Sequence, residues 1–158
     1  MSGELLARAD LRASEREEDE FYGYVLRRGW SVDYIGQRVW CDGVKRVVRR
    51  HYDYLAHTPD LLIARGECAY LVEVVNAHGK RQPNLEVGKL VSLNLWLPFA
   101  TVMIADVSTH TAWAHQPAWF RKDLASNVRT VHFAPGSGDP YVAVMRPEYA
   151  TTWDVAFG

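Results

Sequence analysis

Two short apolar runs that flank a turn constrain this chain most, because each run carries one acidic residue. Residues 61–64 and 70–75 lie on either side of Arg65-Gly66-Glu67, a pattern typical of a β-hairpin. Asp60 opens the first strand, and Glu73 lies inside the second. Ionised carboxylates are rarely enclosed in a protein unless they are paired or bound to a cation. Two carboxylates that converge near strand ends therefore predict a site for a hard cation such as Mg²⁺ or Mn²⁺.

Length and composition indicate a single globular domain spanning residues 1–158. Apolar residues make up 48% of the chain and charged residues 23%, which is ordinary for a soluble protein. No apolar run approaches the roughly 18 residues that a membrane span needs, and the N-terminus lacks the pattern of a secretory signal. Cys41 and Cys68 form no CxxC pair, so we expect reduced thiols in a cytoplasmic protein.

The charge pattern leaves nucleic-acid binding open. The formal net charge is −1, whereas nucleic-acid binders usually carry a basic excess. Charge can nevertheless be segregated along a chain. Five basic or titratable residues lie close together in the first third of the sequence: Lys45, Arg46, Arg49, Arg50 and His51. This cluster is compatible with phosphate contacts and equally with a solvated face.

The order of predicted elements indicates an α/β domain with a mixed sheet between helices. Good helix formers without proline predict a first helix, and Gly29 supplies its stop. Pro98 ends a second helix. The predicted helices are residues 3–28, 85–97 and a short one near 117–124; the predicted strands beside the hairpin are within 30–40, at 47–55 and at 100–107, with one or two more in the tail.

Glu18 stands out within the acidic part of the first helix. It precedes Phe21 by three positions and Val25 by seven, so it falls on the same inward stripe as these apolar residues. The neighbouring acidic residues predict a solvated face. Glu18 is therefore either a third acidic site residue or one more member of that face.

The sequence resembles the PD-(D/E)XK superfamily of restriction-endonuclease-like nucleases in three features. These are the order of its elements, Pro59-Asp60 at the start of one strand, and Glu73 inside the next strand. The resemblance covers about residues 15–107 and includes Glu18 in the first helix. It implies an αβββαβ core. Residues 108–158 form a C-terminal extension outside the resemblance, which serves as a specificity element, an interface or additional strands.

The resemblance implies a metal-dependent endonuclease that hydrolyses DNA phosphodiesters, of the restriction, resolvase or repair type. Asp60 and Glu73 would hold one or two Mg²⁺ or Mn²⁺ ions, the backbone carbonyl of Val74 would complete the site, and Glu18 would act through water. Members of this superfamily often dimerise, so the resemblance also implies DNA as a partner and a homodimer or larger assembly.

The chain departs from the superfamily motif at one position. The motif lysine belongs two positions after the glutamate, and this chain has Val75 there. In some members the following helix supplies the cation instead, and Lys89 lies near the start of that helix, with Leu93 four positions on. Lys80 and Arg81, in the preceding loop, are weaker substitutes. We expect Lys89 to be the catalytic cation.

Two other functions remain open from the sequence. One is a catalytically degenerate protein of the nuclease fold, with a structural or interaction role in a nucleoprotein or viral assembly such as that of a phage. The other is a binding module unrelated to nucleases, in which Glu73 faces solvent. The sequence shows no HExxH, G-x-S-x-G, P-loop or G-x-G-x-x-G motif, which disfavours zinc proteases, serine hydrolases and nucleotide-binding proteins.

Overall fold

The computed structural model describes residues 3–51, 57–78, 84–115, 128–131, 139–143 and 150–158. The described helices are α1 (Gly3–Arg27), α2 (Asp42–His51), α3 (Val87–Trp96) and α4 (Trp153–Phe157), with a 3-10 turn at Gln37–Val39. The described strands are β1 (Ser31–Tyr34), β2 (Leu61–Arg65), β3 (Cys68–Val75), β4 (Asn84–Glu86), β5 (Thr101–Asp106), β6 (Thr111–Ala114), β7 (Val128–Val131), β8 (Asp139–Ala143) and β9 (Thr151–Thr152). Within these residues, no helix is long and apolar enough to cross a membrane.

A six-stranded mixed sheet forms the centre of the fold, in the order β1-β2-β3-β5-β6-β9. The pair β3 and β5 is parallel, and the other neighbours in this sheet are antiparallel. A second sheet has the order β4-β8-β7. The order from α1 through β1, β2, β3, α3 and β5 matches the predicted αβββαβ core, so the predicted fold class is confirmed.

The hairpin of β2 and β3 sets the register at the acidic end of the sheet. Gly66 adopts φ 59°, the left-handed conformation that a tight hairpin turn requires and that glycine tolerates best. From this turn the pairing runs to Leu61 opposite Val72, and β3 then continues beyond β2 to Val75. Asp60 therefore lies at the end of the paired region, next to the part of β3 that carries Glu73.

Side chains of β3 alternate between two apolar clusters, one on each face of the sheet. Val72 packs with Phe21 and Val25 of α1, whereas Leu71 and Val75 pack on the α3 side. The strand β5 alternates in the same way, which explains its continuous apolar sequence: its two faces are both covered. By this alternation Glu73 projects with Leu71 and Val75, toward α3.

The prediction of a strand at residues 47–55 was wrong for the part that the structure describes. Residues up to His51 belong to α2, and residues 52–56 lie outside the described residues. Val44, Val47 and Val48 recur at helical spacing after Asp42, an acidic residue in the first turn of the helix. This longer pattern competes with the short β-branched run and explains the helix.

Other boundaries differ only slightly. The second predicted helix begins at Val87, because Leu85 pairs in β4 instead. The short helix predicted near residues 117–124 lies outside the described residues. In the C-terminal part, β6 and β9 extend the main sheet, and α4 buries Trp153 and Phe157 against the α1-side cluster.

Candidate active site

Asp60 is held by its backbone and its side chain at the end of β2. Its N–H donates to the carbonyl of Val72 over 3.0 Å, and its own carbonyl accepts from Ile35 and Gly36. Its Oδ2 accepts from the backbone N–H of Val74 over 2.8 Å. The carboxylate therefore replaces the missing strand partner at this edge, which fixes its position and leaves Oδ1 to face the site.

Glu73 is buried, with 5% of its surface exposed, and its charge is met by a lysine from α3. The Nζ of Lys89 lies 2.8 Å from Glu73 Oε2 and 3.9 Å from Asp60 Oδ1. The same ammonium donates to the backbone carbonyl of Thr58 over 3.3 Å. One cation thus joins the two acidic residues of the hairpin, and the solvent-facing alternative for Glu73 is wrong.

Packing of α3 positions Lys89. Leu90 and Leu93 are buried in the α3-side cluster together with Val75, so the first turn of the helix lies over the end of β3. Only 15% of the Lys89 side chain is exposed. Long basic side chains can cover apolar surface with the methylene stem while the charged end reaches polar partners, and here the ammonium reaches the carboxylates.

Glu18 approaches from the other face of the sheet. It is 8% exposed on α1, and its Oε2 lies 3.6 Å from Nη1 of Arg38. Arg38 also contacts Asp19 Oδ1 at 2.7 Å and the backbone carbonyl of Glu15 at 3.3 Å. Arg38 therefore ties the acidic turn of α1 to the segment that follows β1.

Burial and mutual repulsion shift the titration of the acidic residues. Burial, together with the Asp60 carboxylate, raises the pKa of Glu18 to about 7, although Arg38 opposes this shift. Burial first and Asp60 second also raise the pKa of Glu73 well above its usual range, against the effect of Lys89. The Asp60 carboxylate therefore acts on both Glu18 and Glu73.

Lys89 stays charged in this environment. Burial alone would lower the pKa of its ammonium, but the carboxylates of Glu73 and Asp60 outweigh burial and hold that pKa above its usual value. The site consequently keeps a fixed positive charge beside two carboxylates.

Two further residues connect the site region to α1. Asn76 donates to Glu17 Oε1 over 2.5 Å and so links the end of β3 to α1. Arg38 was missed, because an arginine in a turn carries no sequence signal of a distant partner on α1. Lys80 and Arg81, the weaker substitutes for the motif lysine, lie outside the described residues.

The oxygen atoms at this end of the sheet suit a small, hard cation. The carboxylates of Asp60 and Glu73 converge on Lys89, and apart from that ion pair the buried Oε2 of Glu73 has no hydrogen-bond partner among the described residues. Val74 N–H bonds to Asp60. The N–H and C=O of one strand residue point to the same side of the strand, so the Val74 carbonyl is also directed toward the side of Asp60. In the described part of the chain no three His, Cys, Asp or Glu residues form a complete metal cage. Mg²⁺ commonly takes one or two carboxylates, with water and phosphate as its other ligands, so these residues fit it.

Comparison with known proteins identifies the fold. No family model matches the chain, and no curated protein matches its sequence. Among solved structures, the 1.6 Å structure of Hjc, a Holliday junction resolvase from the archaeal hyperthermophile Archaeoglobus fulgidus, is similar with a TM-score of 0.51. The identity is 10%, and the match covers 91% of this chain and 99% of that chain. This likeness establishes a resolvase-like α/β fold.

Proposed function

We propose that this protein is a metal-dependent endonuclease that hydrolyses DNA phosphodiesters. The observation that carries the proposal is the position of Lys89, whose Nζ lies 2.8 Å from Glu73 Oε2 and 3.9 Å from Asp60 Oδ1. Where the superfamily motif has its lysine, this chain has Val75, and Lys89 brings an ammonium to the same two carboxylates from the neighbouring helix. A structural strand has little reason to bury this arrangement, because desolvating an ion pair offsets much of its attraction.

Asp60, Glu73 and the Val74 carbonyl are the proposed ligands of Mg²⁺ or Mn²⁺, with Glu18 acting through water. Such an ion supplies positive charge to the phosphodiester and increases the acidity of water near it. Asp60 is suited to this role because the Val74 N–H already fixes its Oδ2. Glu18 is suited to an outer position because it comes from the opposite face and is anchored by Arg38.

Lys89 is the proposed catalytic cation. Its ammonium remains protonated, because Glu73 and Asp60 raise its pKa, so it acts as a fixed charge and a hydrogen-bond donor and not as a base. We infer that it orients the attacking water and stabilises the negative charge that develops on the phosphate oxygens. Removal of a single preorganised group of this kind typically lowers the reaction rate by about 10²–10³-fold.

The resolvase-like fold supports branched DNA as the substrate class. The similar solved protein is described as a Holliday junction resolvase, and the match extends over nearly all of both chains. We therefore propose a four-way junction as the preferred DNA, ahead of linear duplex.

A protein of this fold that does not cleave DNA is the second candidate. The observation that favours it is Val75, since the motif lysine is absent from its usual strand position. In that case the Lys89–Glu73 pair is an internal ion pair with a structural role, in a nucleoprotein or viral assembly. The two candidates differ in the effect of Mg²⁺ on DNA.

Incubation of the protein with a four-way junction and with supercoiled plasmid, in Mg²⁺ or Mn²⁺, separates them. We expect cleavage by the wild type and loss of at least about 100-fold in Glu73→Gln. Glu67→Gln is the matched control, because Glu67 is an exposed glutamate in the hairpin turn at the other end of β3. Equal rates for the wild type and Glu73→Gln would remove the endonuclease assignment.

A further inference from the structure

The helix α2 presents a basic surface that the candidate active site does not use. Lys45, Arg46 and Arg50 line a shallow cavity of about 480 Å³, with Asp42 as its acidic residue. We call these three cations the basic face of α2. Among the described residues, none of the three forms an ion pair with a carboxylate.

The helical register separates this basic face from an apolar one. At about 100° per residue, Lys45, Arg46 and Arg50 fall on one side of α2, and Val44, Val47 and Val48 fall on the other. Val48 is buried and Lys45 half-buried, whereas Arg46 and Arg50 are exposed, as are Val44 and Val47. Arg46 and Arg50 therefore face away from Val48, through which α2 packs on the protein.

Chain connectivity keeps α2 near Asp60. The segment before the helix passes Gly36, whose N–H bonds to the Asp60 carbonyl over 3.2 Å, and the segment after it returns to Asp60 itself. Asp42 is six residues beyond Gly36, and an extended chain covers at most about 3.6 Å per residue, so the start of α2 lies within about 22 Å of Gly36, which contacts Asp60. This distance is a few base pairs of duplex DNA, at about 3.4 Å each.

The local charge contrasts with the charge of the whole chain. The formal net charge is −1, and yet the described residues that line this cavity include three cations and one carboxylate. A surface that concentrates positive charge in an otherwise near-neutral protein is complementary to a regular array of phosphates. Unpaired cations at such a surface attract a polyanion without first losing an internal partner.

We infer that the basic face of α2 binds the sugar–phosphate backbone of DNA beside the phosphodiester at the candidate active site. The inference rests on the proposed function, since it takes its partner from the chemistry of Asp60, Glu73 and Lys89. Phosphate contacts fix the position of a protein on DNA without reading its sequence. α2 therefore acts as a positioning element for the substrate.

The test is the salt dependence of DNA binding in Ca²⁺ or EDTA, measured by fluorescence anisotropy with a labelled four-way junction. In the triple variant Lys45→Gln/Arg46→Gln/Arg50→Gln, we expect the slope of log Kd against log salt to fall by about 0.9 for each lost contact. Glutamine keeps a helix propensity close to that of lysine and arginine, so α2 is retained. Circular dichroism and the thermal midpoint check the fold of the variant.

A single pair of variants controls for net charge. Arg46→Gln and Arg27→Gln each remove one exposed positive charge, but Arg27 lies in the last turn of α1, outside the basic face of α2. We expect Arg46→Gln to reduce the slope and Arg27→Gln to leave it unchanged. An equal change in both would reduce the effect to net charge and overturn the inference.

The outcomes distinguish the inference from the proposed function. Normal binding by the triple variant, together with Mg²⁺-dependent cleavage by the wild type, would overturn the role of α2 and leave the endonuclease intact. Weakened binding by the triple variant with no cleavage by the wild type would keep the DNA surface and remove the enzyme. Binding of the wild type to anionic lipid vesicles and not to DNA would overturn the inference in favour of a membrane surface.

Discussion

Lys89 and Glu73 form a buried ion pair, with 2.8 Å between Nζ and Oε2, although one lies on α3 and the other on β3. Their contact depends on the packing of α3 over the end of the sheet. The pair therefore connects the fold directly to the proposed chemistry, and it can be tested by stability as well as by activity.

A double-mutant cycle measures the coupling of this pair. We expect Lys89→Met to destabilise the protein by about 3 kcal/mol at pH 8, because it leaves a buried carboxylate uncompensated. The loss should shrink at lower pH, where the buried Glu73 with its raised pKa accepts a proton. Urea unfolding of Lys89→Met, Glu73→Gln and the double variant gives the coupling. Additive single effects would show that the two side chains do not interact in solution.

The pH dependence of stability reports on Glu18. Its folded pKa of about 7 exceeds the ordinary value of 4.5, so the folded state binds a proton between these two values and the unfolded state does not. The stability from this group is present below pH 4.5 and is lost as pH rises through 7. We expect up to about 3 kcal/mol less free energy of unfolding at pH 8 than at pH 5 from this residue. Glu18→Gln, measured in EDTA, should remove that component.

Glu67→Gln is the control for this pH profile, since Glu67 is exposed at the hairpin turn. Its profile should follow that of the wild type. A Glu18→Gln profile with the same slope as the wild type would mean that Glu18 does not titrate at its raised pKa.

Arg38 affects the pKa of Glu18, and we expect no other role for it in the reaction. Its charge and hydrogen bond lower the pKa of Glu18 and oppose the effect of burial. We expect Arg38→Gln to move the pKa of Glu18 further up, while Arg38→Lys keeps part of the charge effect. Carbon-13 NMR titration of the glutamate carboxyl carbons measures this directly. An unchanged or lowered pKa in Arg38→Gln would contradict the contact.

Gly36 leaves room for Asp60. A Cβ at Gly36 would lie 3.1 Å from Asp60 Cα and 3.4 Å from Asp60 Oδ1, so a methyl group there displaces the carboxylate by a few tenths of an ångström. We expect Gly36→Ala to reduce cleavage by about 10-fold, since small misplacements of catalytic groups are costly.

Gly43→Ala is the matched control in α2. A Cβ at Gly43 would meet only Cys41 Sγ, at 4.0 Å, and alanine favours the helix by about 1 kcal/mol. Its cleavage rate should equal that of the wild type. Equal rates in Gly36→Ala and the wild type would show that the position of Asp60 does not limit the reaction.

The hairpin and the αβββαβ order were predictable, because both depend on local patterns. Gly66 marked the turn, and the alternation along β3 carried Glu73 to a buried position. The unbroken apolar run of β5 indicated a strand with both faces covered, as the two clusters show. In these elements, the secondary structure that the local sequence pattern favours is the one that the tertiary packing requires.

The helix α2 was not predictable from the short window used for the strand at residues 47–55. Val47 and Val48 favour a strand locally, and only the inclusion of Val44 and Asp42 reveals the helical period. The contact of Lys89 with Glu73 and Asp60 could be predicted from the sequence, because Lys89 lies near the start of the helix that follows β3. The contact between Arg38 and Glu18 could not, since it depends on where the turn after β1 meets α1 in three dimensions.

The most direct test of the account is the Mg²⁺-dependent cleavage rate of a four-way junction by Lys89→Met. Lys45→Met is the control, because it also replaces a lysine by methionine, but in the proposed DNA surface of α2. We expect it to affect DNA binding and to leave the single-turnover rate at saturating protein unchanged. We predict that Lys89→Met loses at least about 100-fold in that rate and still binds the junction. A Lys89→Met rate equal to that of the wild type would contradict the claim that Lys89 replaces the motif lysine.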